Sequence, residues 1–164
     1  MATRALFING IYESVLANIL EIQSALPEHV MYLQPYAGKL IRQLHDNPPT
    51  ADAPVELYMS TTDRLGEVQY AAEIIAIDEK ESILEARRLV LDRVIRLLQP
   101  TEAGVFASVD GRESVNLLHV RRMRKLAEPM PVTSLVKTSD DSPIAGARAT
   151  AGGWSYVKPL SEGA

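Results

Sequence analysis

Residues 54–77 read PVELYMSTTDRLGEVQYAAEIIAI, and the fold follows from how this stretch is parsed. Val55, Leu57 and Met59 alternate with Glu56, Tyr58 and Ser60, the two-residue period of a half-buried strand. Thr62-Asp63-Arg64-Leu65-Gly66 then gathers turn-forming residues, with Gly66 available for a positive φ. Val68–Ile77 returns as a second strand, its β-branched residues near the end, with a bend expected at Ala71-Ala72. The segment therefore predicts a strand–turn–strand unit.

On the N-terminal side, Asn47–Pro54 carries three prolines, which remove backbone donors and fix φ, so an exposed loop precedes the hairpin. Arg4–Ile8 reads as a first strand ended by the turn pair Asn9-Gly10. Ile11, Val15, Ile19 and Ile22 fall at helical spacing, predicting an amphipathic helix over Tyr12–Ala25 that Pro27 terminates. Val30–Leu33 suits a strand and Ala37–Leu44 a short helix.

On the C-terminal side, Glu79–Leu98 has the strongest helical pattern. Ile83, Ala86, Val90, Val94 and Leu97 are expected inward, with Glu85, Arg88, Asp92 and Arg96 outward. Gly104–Val109 and Val115–Val120 read as strands around an Asp110-Gly111 turn, the second leading into Arg121-Arg122-Met123-Arg124-Lys125. Residues 130–135 read as a loop with at most one helical turn. Thr138–Thr150 is expected to be mobile, and Trp154–Val157 to regain structure.

A chain of 164 residues suits one domain, here expected over 1–157 with a polar tail at 158–164. The absence of cysteine removes disulfides and cysteine-based zinc sites and fits a cytoplasmic protein. The N-terminus reaches polar Asn9 before any signal-peptide core forms, and the longest apolar runs fall short of the ~20 residues a membrane helix needs. The expectation is a soluble protein without a membrane partner. A net charge of −4 speaks against a globally basic nucleic-acid binder, although local charge counts for more than the sum.

Three segments together resemble the ASCH branch of the PUA-like superfamily, which also holds the EVE domains. They are the opening strand and helix, Ala5–Leu16; the hairpin, with Val55–Thr61, Gly66-Glu67-Val68 and Ala72-Glu73-Ile74-Ile75; and His119–Leu135 with its proline-rich exit. The resemblance implies an α+β fold: a partly open, twisted β-barrel flanked by helices, with a cleft beside the 55–61 strand. It also implies a ligand such as RNA, a modified DNA base or a coenzyme. Its enzymatic branch cleaves an acyl amide of acetylated cytidine with a Gly-Lys-Lys-Thr type motif after the first helix. Leu20-Glu21-Ile22-Gln23-Ser24 stands there instead, so those catalytic residues do not carry over.

The residues themselves supply few catalytic patterns. His29, His45 and His119 lack metal-ligand spacing, and no cysteine or Gly-x-Ser-x-Gly elbow offers a nucleophile. Gly146–Gly153 lacks the Lys-Ser/Thr ending of a phosphate loop. Neither a cofactor nor a metal is expected.

The sharpest electrostatic feature is Arg121-Arg122-Arg124-Lys125, with Arg112 nearby in sequence. Strand alternation sends Arg122 and Arg124 one way, and Arg121, Met123 and Lys125 the other. Such guanidiniums suit phosphates, or equally a solvated edge strand guarded by charge. Six tyrosines and one tryptophan outnumber two phenylalanines. Trp154, Tyr156 or Tyr58 is placed either to stack on a base or to cap the barrel ends. Tyr58, Ser60 and Thr61 fall where the resemblance puts the cleft wall, with Asn9, Lys39 and Gln34 as weaker candidates.

The favoured reading is a non-enzymatic binding module for RNA or a modified base. The alternatives are an enzyme on nucleosides or nucleotides, with Glu67 or Glu73 as general base, or a regulatory domain holding a peptide or small molecule.

Overall fold

The computed structural model describes residues 4–33, 38–79, 85–98, 116–150 and 153–160. Its elements are β1 (Arg4–Ile11), α1 (Glu13–Ile22), β2 (Glu28–Leu33), α2 (Gly38–Asp46), β3 (Val55–Thr61), β4 (Glu67–Glu79), α3 (Glu85–Leu98), β5 (Asn116–Pro131), a 3₁₀ turn at Val132–Ser134, α4 (Ala147–Thr150) and β6 (Gly153–Val157). One mixed sheet runs β2-β5-β4-β3-β1-β6. Parallel pairing joins β1 to β3, and all other neighbours are antiparallel. This is an α+β, partly open twisted sheet with flanking helices, the architecture expected from the PUA-like resemblance. Gly104–Val109, the Asp110-Gly111 turn and Gln34 lie outside the described residues.

The hairpin sits in the middle of the sheet, which corrects its half-buried reading. Between β4 and β1, β3 is covered on both faces, so Tyr58, Ser60 and Thr61 are as buried as Leu57 and Met59. Gly66 takes φ +95° in the turn, and a Cβ there would stand 3.3 Å from Ala149 O. Gly10 does not end β1: it is a left-handed irregularity at φ +101° inside a strand that runs on to Ile11.

Alternate residues of the central strands feed two cores. On one face Leu6, Ile8, Leu57, Met59, Tyr70 and Ile74 pack with Val15, Leu16 and Ile19 of α1 and with Ile41 and Leu44 of α2. On the other, Ala5, Phe7, Tyr58, Val68 and Ala71 pack beneath Val132, Leu135, Ile144 and Ala149. The second core corrects the loose reading of 138–150. Ile144 is fully buried, and its N–H donates to Leu135 O at 2.9 Å. Beyond β6 the chain stays attached: Lys158 N–H donates to Val136 O at 2.9 Å and Leu160 N–H to Tyr58 Oη at 2.8 Å.

In α3 the inward stripe is rotated from the expected one. Leu91 is buried and Val94 packs on the first core, whereas Leu89, Val90 and Leu97 are exposed. Apolar residues nearly encircle this helix, so periodicity alone fixes no unique face and packing on β2 and α1 decides. Glu79 belongs to the end of β4. No helix among the described residues is long and apolar enough to cross a membrane.

Candidate nucleic-acid interface

The long strand β5 is regular only in part. Its partners on β4 jump from Glu73↔Arg121 to Ala71↔Arg124, so Arg122 and Met123 together oppose Ala72. Two residues against one is a β-bulge, and Arg122 adopts φ +55° to make it. The bulge lies opposite Ala72, but its extra residue belongs to β5 and not to the return strand in which a bend was expected.

The bulge resets the alternation. Met123 turns into the helix-side core, 2% exposed, while Arg121, Arg122 and Arg124 share the carboxylates of the opposite face. Arg121 was expected with Met123 and Lys125; the extra residue moves it to the side of Arg122 and Arg124. Lys125 stays with Met123, over the Tyr70 ring and 3.9 Å from Glu13 Oε1.

Two acids on neighbouring strands organise the guanidiniums. Arg121 donates from Nε to Glu73 Oε2 at 2.9 Å and from Nη2 to Ala51 O at 2.7 Å. Arg122 donates from Nη1 to Glu73 Oε1 at 3.1 Å, and Arg124 from Nη2 to Glu56 Oε1 at 2.6 Å. Glu56 and Glu73 are themselves cross-strand partners. Burial pushes the Glu73 carboxyl upward, but the Arg121 hydrogen bond and the charges of Arg122 and Arg121 outweigh it and hold the group below its usual range. Both Glu73 oxygens are thus held by guanidiniums. Glu67 is exposed and lies 3.9 Å from Arg64.

Arg121, Arg122 and Arg124 line a cleft of about 560 Å³ together with Gln23, Pro27, Glu28 and Met123. Gln23 follows α1 and donates from Nε2 to Met123 O at 2.8 Å, which ties the helix end to the bulge. Glu28 opens β2 opposite Arg121. Gln23, Pro27, Glu28 and Met123 were not among the residues expected from sequence.

The other expected residues lie elsewhere. At the ends of β1, β3 and β4 a second cluster is almost wholly buried: Asn9 4%, Ser60 0%, Thr61 0% and Gln69 4% exposed. Gly10 N–H donates to Ser60 Oγ at 2.8 Å, Ser60 Oγ donates to Asn9 Oδ1, and Thr61 Oγ1 donates to Gln69 Oε1 at 2.7 Å. These hydroxyls hold strands together and present no open edge to a ligand. Tyr58 lies in the core under the 132–149 segment, whereas Trp154, 9% exposed, lies in the helix-side core with Tyr156 packed against it. The sheet thus separates Tyr58 from Trp154. Burial pushes the Tyr156 phenol up to about 12 and raises that of Tyr58. Lys39 lies in α2.

Among the described residues no group of three or more His, Asp or Glu is placed to hold a metal ion. His29 is 1% exposed, neither ring nitrogen has a hydrogen-bond partner among the described residues, and burial lowers its pKa.

No protein-family model matches the chain, and no curated protein matches it. Among solved structures, two variants of ZmASCH from Zymomonas mobilis are similar at 13% identity and TM-score 0.44. One comparison covers 77% of this chain and 73% of the other, the second 78% and 76%. The N-terminal domain of McrB from Staphylothermus marinus is similar at 10% identity and TM-score 0.41, over 79% of this chain and 77% of that one.

Proposed function

We propose that the chain is a non-enzymatic module that binds single-stranded RNA through the arginine face of β5. The observation that carries this reading is Arg122 at φ +55°. A non-glycine residue in the left-handed region costs on the order of 1 kcal/mol, and such strain gathers at functional sites. Here it buys a bulge that puts three guanidiniums on one open face.

The roles divide by what each guanidinium has left to offer. Arg121, with Nε and Nη2 engaged, positions Glu73. Arg122 and Arg124, with side chains 70% and 52% exposed, each make ion pairs from one nitrogen and keep further N–H donors for a phosphate. Three guanidiniums meet Glu56 and Glu73 in the lattice, and Glu28 in the same cleft brings the formal charge to balance, so the donors left over on Arg122 and Arg124 rather than a net charge support the reading. RNA is favoured over a flipped modified base because Ser60 and Thr61, which would read such a base beside the 55–61 strand, are buried and bonded to Asn9 and Gln69.

The test is a salt titration of binding to a single-stranded RNA oligonucleotide. Affinity is expected to fall linearly on a log–log plot, with slope about −0.7 per phosphate neutralised. Replacing Arg122 and Arg124 together by alanine should flatten the slope by roughly one to two such contacts. No binding at low salt, or a slope untouched by the double substitution, overturns the proposal. So does equal affinity for an acidic peptide.

A further inference from the structure

Glu28 is the odd group in the cleft. It lies opposite Arg121 in register and beside three guanidiniums. Yet those guanidiniums are bonded to Glu73 and Glu56, and Glu28 has neither an ion pair nor a hydrogen bond among the described residues. Next to it Gln23 donates one Nε2 hydrogen to Met123 O, which leaves its acceptor Oε1 and one further N–H to offer. The cleft therefore combines phosphate donors with unspent acceptors.

We infer that this cleft selects guanine, the Glu28 carboxylate accepting hydrogen bonds from the base while Arg122 and Arg124 hold the adjoining phosphates; the inference rests on the RNA reading above. Base chemistry makes the choice. Two carboxylate oxygens match two adjacent donors, and only guanine presents them, as N1–H and the N2 amine. Adenine sets an acceptor, N1, beside its amine, cytosine sets N3 beside its own, and uracil flanks its single N–H with carbonyls. Each of these would place an acceptor against Glu28, which is repulsive. Gln23 Oε1 supplies a third acceptor for the remaining N2 hydrogen. Pro27 gives an apolar wall for the ring, and a volume of about 560 Å³ falls within the ordinary range of small-molecule sites.

The experiment measures binding of short oligouridine RNAs carrying one central guanine, adenine, cytosine or inosine, for the unaltered chain and for Glu28→Gln. Guanine is expected to bind about tenfold more tightly than adenine or cytosine, the usual scale of discrimination by a bidentate contact. Inosine, which keeps N1–H and loses the amine, should fall between. Glu28→Gln, a change at an exposed position, should bring the four bases to within about twofold of one another while leaving the salt slope unchanged. Salt-dependent binding without base preference, or a guanine preference that survives Glu28→Gln, overturns this inference and leaves the RNA reading standing. Absence of RNA binding overturns both.

Discussion

Two polar clusters dominate this sheet, and they differ in what they leave unspent. At the ends of β1, β3 and β4, Asn9, Ser60, Thr61 and Gln69 are buried, neutral and bonded to one another or to Gly10 N–H. Across β3, β4 and β5, Glu56, Glu73, Arg121, Arg122 and Arg124 are charged, half-open and only partly engaged. The sequence points to Ser60 and Thr61 as the wall of a cleft and to the three arginines as phosphate contacts beside it. Their physics assigns them opposite work: the first satisfies buried strand ends, and the second keeps donors in reserve beside an open volume.

The largest expected effect breaks the first cluster. Ser60→Ala removes the acceptor of the part-buried Gly10 N–H and the donor to buried Asn9. A loss of about 3 kcal/mol of unfolding free energy is expected in urea titration, with RNA affinity of the folded protein unchanged. A loss below about 1 kcal/mol would show that the cluster is not structural.

The next effect concerns His29, a buried polar group that joins neither cluster. Burial favours its neutral form, so the folded pKa lies below the ordinary 6.5. Between the two values the unfolded chain binds the proton and the folded chain does not. Stability therefore falls as pH drops below 6.5, by up to about 1.4 kcal/mol per pH unit, and levels off below the folded pKa. His29→Leu should flatten that window in unfolding midpoints measured against pH; an unchanged slope refutes the assignment. The Glu73 contribution lies lower. Its folded pKa is depressed, so its stabilisation holds above the ordinary value of 4.5 and is lost as pH falls through the folded pKa.

The smallest stability effects belong to the arginine face and sharpen the contrast most. Arg122→Gly relieves left-handed strain of roughly 1 kcal/mol against a similar entropy gain of the unfolded chain. Stability should hold within about 1 kcal/mol while RNA affinity falls severalfold. Arg124→Ala, which removes a half-exposed ion pair, should cost no more than about 1 kcal/mol and should weaken RNA binding for every sequence alike. A larger stability loss from either would make the face a structural lattice.

Local pattern made much of this legible. The alternation of faces over 55–59 and the positive-φ glycine at 66 are written in neighbouring residues, and the structure carries both. The inward face of α3 was not legible, because Leu89, Val90, Leu91 and Val94 offer several equivalent stripes. The arginine orientation was not legible either, since a single bulge residue reverses the parity on which the strand pattern depends. Nor was the rest of the cleft: Gln23 and Met123 meet across 100 positions of chain, and no local signal joins them.

By itself the sequence determined the strands, the turns and the presence of a basic run, because each is set by spacing or by the φ a residue tolerates. The tertiary structure decided which hydroxyls are sealed in the sheet and which guanidiniums remain open. That division depends on whether two faces of a strand are covered and where a bulge falls. Both are settled by contacts between distant segments, in which β3 is enclosed by β4 and β1 while β5 meets Glu56 and Glu73 with donors to spare.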